Sequence, residues 1–543
     1  MMILKVLTAL SFIIVIGIIV VSLTKKECVL KEINDRFFYF AFVVMLLLFS
    51  LILLIRIEEV PMALNVDEAG GAYDALNISR HGVDRYLNRF PMHFPNFGGG
   101  GQSALYNYLA AFLLIFFDYS PIVFRLPAVI MSLLSTVFMT FTVRKEKGNT
   151  AALIILFLFT VLPFSIMHSR WGLDCYLLYP TTIIASSMFY KALTEKRLFL
   201  FVISGFLYGL CFYTYAVSYL FIFIFITTIS LYLLLTKNIR WSELFAFGIP
   251  ISIMAIPPIL MLIVNRGLLN QINLSFMTIP KLSSYRGGEV SFHNVFDNIG
   301  LDFLFTVFSW DYLVQNSIMK FGTLYYFSIP LVIYGFIIVH ISFVKDFKNR
   351  VIDLDIIIVI LFWSILFTVL LLKSPNINRI NPIYISLIYF LYVGIKKVCS
   401  KASQNIYIIL VSYMLFFGLF MYDYHCVYPS EFESNDLYIS MKDLKKALDY
   451  TSDKKTDHIY VIGGQQTYIY TILALDVDAE EFDSNKEENA YSEIIRYDKY
   501  HFLLDEEIPD DSIIICTKTI EIPDEIDSKY NKTQFNTVCV YER

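Results

Sequence analysis

"FFYFAFVVMLLLFSLILLIRIEEVPMALNVDEAGGAYDA", residues 37 to 75, decides what kind of protein this is. From Phe37 to Ile55 it carries no charge. As a helix rising about 1.5 Å per residue, such a run crosses a hydrocarbon layer of about 30 Å. Twelve residues after the run ends, Asp67 begins a side-by-side pair with Glu68. The first half of the stretch therefore predicts a membrane span, and the second half puts two adjacent carboxylates just beyond it.

The rest of the chain repeats the first half of that pattern. Its 543 residues are 57% hydrophobic and 17% aromatic, with a mean hydropathy of +0.60, more than a soluble core needs. Twelve spans are predicted, near 3–23, 37–57, 122–143, 149–166, 174–193, 198–216, 218–236, 242–264, 324–344, 352–372, 380–396 and 404–421. A weaker apolar stretch, 104–117, reads as interfacial or re-entrant. Short connections rich in Lys and Arg, such as "RKEKGN" and "KDFKNR", alternate with the others, so the positive-inside rule makes them cytoplasmic. The connections 58–121 and 265–323 and the tail from about 422 are then extracytoplasmic. On this reading the Asp67–Glu68 pair faces outward.

Three segments follow: an extra N-terminal helix and cytoplasmic loop over 1–36, a transmembrane domain over 37–421, and an extracytoplasmic domain over 422–543. The tail reads as a small α/β domain, with a helix in "NDLYISMKDLKKALDYTSD", a buried strand in "HIYVIGG", a helix in "QTYIYTILAL" and strands in "DSIIICTK" and "NTVCVYER". The seven cysteines show no zinc-like spacing. Cys426, Cys516 and Cys539 lie in the tail, where either one disulfide or buried free thiols fit. The net charge of −5 decides nothing about partners, but the chain shows no basic domain of the sort that nucleic-acid binding requires, so no nucleic-acid partner is expected.

The candidate chemistry gathers at the outer ends of the helices. Ionisable groups at a membrane boundary mark a pathway, a partner or a site, which is the functional reading of Asp67 and Glu68. The competing reading makes them an acidic N-terminal cap of the next helix. Gly98 to Gly101 either bring backbone amides to a phosphate or form a flexible turn. "MHSRWGLDCYLLYP" supplies His168, Arg170, Trp171 and Asp174, either as an anion site or as an Arg170–Asp174 pair beside an interfacial tryptophan. "LLKSPNINRINPIYI" adds Lys373 and Arg379, and "YTYAVSY" adds Tyr213 and Tyr215. Cations of this kind hold phosphate or snorkel to headgroups.

Several of these blocks together resemble a known family. "NVDEAGGAYDA" after a transmembrane helix, "QSALYNYLAAF" followed by "VFRLPAVIMSLLSTVFMTFTVRK", "MHSRWGLDCYLLYP" and "YTYAVSYLF" are similar to the membrane glycosyltransferases of family 39. That group includes the protein O-mannosyltransferases and the aminoarabinose transferase of lipid A. The resemblance covers most of 37–421. It implies a polytopic all-α membrane protein with a GT-C-type helix bundle, carrying here a small C-terminal extracytoplasmic α/β domain.

It also implies an activity: inverting transfer of a sugar from a polyprenyl-phosphate donor to an extracytoplasmic cell-envelope acceptor, whether a glycan polymer, a lipid or a protein. Asp67 is then the base that takes the acceptor's proton, with Glu68 in support. His168, Arg170 and Arg379 are expected to bind the donor phosphate, supported by Asp174 and Tyr215. Some relatives use a divalent metal ion beside the carboxylates, so one is an open possibility, although no metal motif is present.

Two other classes compete. A transporter or flippase of lipid-linked sugars would show broken helices in two related halves, which this sequence lacks. An inactive scaffold would not need Asp67, Glu68 and Arg170. The Ile-, Phe-, Tyr- and Asn-rich composition points to an AT-rich bacterial genome.

Overall fold

Why the apolar runs become helices, and where they stop, is visible in a computed structural model. It describes residues 2–24, 32–284, 289–402, 404–432, 435, 437–489, 493–504, 508–517, 520 and 529–543. Residues 25–31, in the expected first cytoplasmic loop, and Cys28 with them, lie outside the described residues.

All twelve predicted spans contain a helix. Eight of these are long and apolar enough to cross a membrane: Ile3–Thr24, Asp35–Leu54, Pro121–Lys147, Ser218–Leu235, Trp241–Asn265, Tyr326–Asn349, Ile383–Lys401 and Asn405–Cys426. Of the others, Asn149–Val161, Leu198–Leu210 and Leu354–Leu370 are shorter, whereas Leu178–Glu195 has 18 residues but is more polar, with Lys191 and Glu195 near its end. The helix Asn149–Val161 stops because Leu162, which precedes Pro163, is driven into an extended conformation with ψ 136°. Residues Asp174–Leu177 form a tighter 3-10 turn before the helix Leu178–Glu195. The stretch read as interfacial is the short helix Ala104–Leu114.

The chain divides into two compact units. The first comprises Met1–Ile55, Pro127–Leu260 and Arg286–Tyr422, and holds most of the long helices. Within it the helices Ile329–Asn349 and Ile383–Lys401 approach backbone to backbone. A Cβ on Gly335 would stand 1.8 Å from the Phe390 carbonyl oxygen, and one on Gly394 would stand 2.2 Å from that of Leu331. Small residues at such a crossing give membrane helices the close contact that lipid exclusion alone does not.

The second unit comprises Arg56–Leu126, Met261–Tyr285 and Asp423–Arg543. Its centre is a seven-stranded sheet in the order Asn531–Phe535, Val538–Glu542, Ile513–Thr517, Ile459–Ile462, Tyr500–His501, Ile494–Tyr497, Lys486–Glu488. The central strand Ile459–Ile462 pairs in parallel with both neighbours, and the outer pairs are antiparallel. The helices Met441–Ser452 and Thr467–Leu475 fall where the apolar spacing put them. Cys516 lies opposite Cys539 in adjacent strands, and both are buried with no disulfide between them, whereas Cys426 is exposed.

This unit also contains the chain around the carboxylate pair. Leu64–Asn65 pairs antiparallel with Tyr438–Ile439. The Tyr470 hydroxyl donates to the Leu437 carbonyl at 3.1 Å, and Asn77 Oδ1 accepts from the Ala479 amide at 2.8 Å. Arg80 meets Asp476 at 2.9 Å. The helix Val66–His81 is thereby docked onto the C-terminal part of the chain.

Candidate active site

The two adjacent carboxylates take different places, and the helix start explains the division. Asn65 caps the helix Val66–His81, its side chain accepting from the Asp67 amide at 2.9 Å. Glu68 closes the capping box by accepting from the Asn65 amide at 3.2 Å. Its side chain is fully buried, and Arg125 grips it with Nε to Oε1 at 3.0 Å and Nη2 to Oε2 at 2.9 Å. Arg125 spends its other donors on carbonyls: Ile57 at 2.8 Å, Pro61 at 3.2 Å and Ala63 at 3.0 Å. This ties the incoming segment to the helix that carries both acids.

Asp67 is left for other work. From Val66 to Ile78 every residue is buried except Asp67. A short hairpin, His93–Pro95 with Gly101–Ser103, holds it in place. Asn96 Nδ2 donates to Asp67 Oδ1 at 2.7 Å, and Gln102 Nε2 donates to the Asp67 carbonyl at 3.0 Å. The glycine run forms the hairpin's turn. The Asn96 amide donates to the Gly100 carbonyl at 2.9 Å, and Gly98 and Gly99 adopt φ of 70° and 78°, which glycine takes without strain. Ser284 donates to the Gly99 carbonyl at 2.8 Å, so the turn is anchored. His93, in the same hairpin, is buried, and burial pushes its imidazole down to about 4.

In the first unit the residues of "MHSRWGLDCYLLYP" are mostly interior. Arg170 is fully buried and donates to the carbonyls of Ile52 and Leu53, both at 2.7 Å, and of Ile55 at 2.8 Å. Those are the orphan acceptors at the end of the helix Asp35–Leu54, so Arg170 works as its C-terminal cap. Trp171, expected at the interface, is buried instead. His168 is 5% exposed and stacks against Phe164, its ring 4.1 Å from that of Tyr176. Among the described residues its Nε2 has no hydrogen-bond partner. Asp174 opens the 3-10 turn and accepts from the Cys175 amide at 2.8 Å.

Arg379 and Tyr215, distant in sequence, come together. Their side chains lie close enough to interact, with Asp174 nearby. Arg379 also pairs with Glu289 at 2.9 Å and donates to the Lys373 carbonyl, with its side chain 15% exposed. His168, Arg170 and Arg379 thus have three distinct environments within this unit.

The donor set bears on the metal. Glu68 gives both oxygens to Arg125, so Asp67 and Glu68 do not form a carboxylate pair for a cation. The described acids spaced closely enough for a metal are Glu146, Asp353 and Asp355. The Lys147 ammonium sits among them, 2.8 Å from Asp353 and 3.6 Å from Asp355, and supplies the positive charge itself. No step below uses a metal ion.

Sequence reasoning missed Arg125 and Asn96. Arg125 had a legible signal, a lone arginine entering an apolar helix in "VFRLPAVIM", where a buried charge demands a partner. Asn96 had none, because asparagine before glycines reads as an ordinary turn.

The architecture is that of a multi-pass membrane protein with a GT-C-type helix bundle and a C-terminal sheet domain. It is similar to the solved structure of ArnT from Cupriavidus metallidurans bound to undecaprenyl phosphate, with a TM-score of 0.53 and 11% identity over 94% of this chain and 98% of that one. The apo form of the same protein gives 0.51 and 12% over 93% and 97%. No protein-family model matches the sequence, and no curated protein matches it.

Proposed function

We propose that the protein is an inverting glycosyltransferase that moves a sugar, a hexose or pentose, from a polyprenyl-phosphate donor to an extracytoplasmic cell-envelope acceptor. The observation that carries this reading is Asp67: the one residue not buried between Val66 and Ile78, with its carboxylate oriented by Asn96. The fold it shares with a protein solved with undecaprenyl phosphate bound supports the donor class. The basic residues of the opposite connections support an extracytoplasmic C-terminal domain, and the Ile-, Phe-, Tyr- and Asn-rich composition supports a bacterial cell membrane.

In the reaction an acceptor hydroxyl gives its proton to Asp67 as its oxygen attacks the anomeric carbon. The bond from that carbon to the phosphate oxygen breaks, and the electron pair leaves with the polyprenyl phosphate. A single displacement inverts the anomeric centre and needs no enzyme nucleophile. Glu68 acts by positioning: with Arg125 it fixes the helix start that aims Asp67. For the leaving phosphate we assign Arg379, assisted by Tyr215, because Arg170 is committed to the Ile52, Leu53 and Ile55 carbonyls. His168 and Asp174 support that region from the interior.

The test is incubation of purified protein with a panel of polyprenyl-phosphate sugars and envelope acceptors, following release of polyprenyl phosphate and the anomeric configuration of the product. Release coupled to an inverted glycoside supports the reading. A retained configuration refutes the single displacement, and movement of the intact lipid-linked sugar across a bilayer with no release would make the protein a transporter.

A further inference from the structure

A cleft of about 640 Å³ lies within the second unit, with Arg125 in its wall. It is built from the segment before the carboxylate pair, the turn at Asp118–Pro121, the start of the helix Met441–Ser452 and the end of the helix Thr467–Leu475. Its apolar lining includes Met62, Leu64, Leu473 and Ala474.

The charges around it are of both signs. Two carboxylates are already neutralised, Glu59 by Arg56 at 2.9 Å and Asp476 by Arg80 at 2.9 Å. Glu58, Asp118 and Lys442 have no ion-pair partner among the described residues. Among the described residues Lys445 has only an exposed pair with Asp449 at 3.1 Å, a kind that contributes little. In the same wall the Tyr119 hydroxyl is buried with no hydrogen-bond partner among the described residues. A buried hydroxyl left unmatched is costly, so a ligand oxygen at that point would relieve it.

Position identifies the medium the ligand comes from. Asp118–Pro121 leads directly into the membrane-crossing helix Pro121–Lys147. Immediately before it, Ile115, Phe116 and Phe117 are 61%, 65% and 57% exposed. Large apolar side chains so exposed at the start of a span belong in the lipid interface, which puts the cleft at headgroup level.

We propose that this cleft holds the headgroup of a zwitterionic glycerophospholipid of the aminoalkyl-phosphate type. The phosphate lies on Lys442 and Lys445 with a hydrogen bond from Tyr119, and the ammonium faces Glu58 and Asp118. A headgroup with a phosphate and no amine would leave those two carboxylates opposing it, and one with an amine alone would leave the lysines unmatched. The site is separate from Asp67 and takes no part in sugar transfer.

The test uses the full-length protein in mild detergent. Retained lipid is measured by native mass spectrometry after exchange against equimolar phosphatidylethanolamine and phosphatidylglycerol. Wild type is expected to retain phosphatidylethanolamine over phosphatidylglycerol. Lys442→Glu with Lys445→Glu should weaken that retention roughly tenfold, since each interfacial lysine contributes a several-fold factor. Glu58→Gln with Asp118→Asn should keep phospholipid but erase the preference for the amine. All four are exposed or half-buried wall positions, and elution profile and thermal midpoint confirm folding. Equal retention of both lipids by wild type overturns the proposal, as does an unchanged lipid complement in both double variants. Binding of free phosphoethanolamine with no lipid retained would also overturn it.

Discussion

Arg125 holds Glu68 through two hydrogen bonds, at 3.0 and 2.9 Å, with both side chains buried. A fork-to-carboxylate pair of this kind is geometrically specific, and removing one partner leaves an uncompensated buried charge. Glu68→Ala should therefore destabilise the protein by about 3–5 kcal/mol, read as a large drop in thermal midpoint. Glu68→Ala combined with Arg125→Met should recover part of that loss. A Glu68→Ala variant as stable as wild type would mean that the pair is not structural.

Asn96 donates to the Asp67 carboxylate at 2.7 Å, which fixes the direction the carboxylate faces. Asn96→Ala should lower kcat by roughly tenfold to a hundredfold through loss of orientation. An unchanged rate in a well-folded Asn96→Ala would contradict the orienting role.

His93 is a pH-linked stability element. Its imidazole is lowered from 6.5 to about 4 by burial, so the folded state holds it neutral. The stability this contributes is fully present above pH about 6.5 and is lost as pH falls through about 4. The loss amounts to about 3 kcal/mol at most, from 1.36 kcal/mol per unit. Thermal midpoints from pH 7.5 to 4 should drop in wild type and drop less in His93→Gln. Parallel curves for the two proteins would contradict this.

The Gly335 contact predicts a packing effect far from either carboxylate. With a Cβ placed 1.8 Å from the Phe390 carbonyl oxygen, Gly335→Ala must push the helices Ile329–Asn349 and Ile383–Lys401 apart. The expected cost is about 1–3 kcal/mol, and Gly17→Ala, with nothing within 4 Å, serves as the neutral control. Equal thermal midpoints for the two variants would contradict the close crossing.

How much of this was legible depends on range. The helices were, because a bilayer demands apolar runs and the chain supplies them. Asp67 and Glu68 stood out as adjacent charges after such a run, and the capping reading has its counterpart in Glu68, while Asp67 stays half-buried. What separates them is Arg125, 57 residues away from Glu68, and no local pattern encodes that distance. The capping contacts of Arg170 were not legible for the same reason, since its carbonyl acceptors lie more than a hundred residues upstream. In the tail, strands with alternating apolar residues were readable, whereas Lys486–Glu488 and Asn531–Phe535 were not, being largely exposed and polar edge elements paired only through their backbones.

The central claim is that Asp67 takes the acceptor's proton. The most direct measurement is single-turnover transfer from a polyprenyl-phosphate sugar by purified wild type, Asp67→Asn and Glu68→Gln, each checked for monodisperse elution. The account predicts that Asp67→Asn elutes as wild type and loses about 10²–10⁴-fold in rate, while Glu68→Gln loses stability more than rate. Wild-type turnover by a well-folded Asp67→Asn would contradict it.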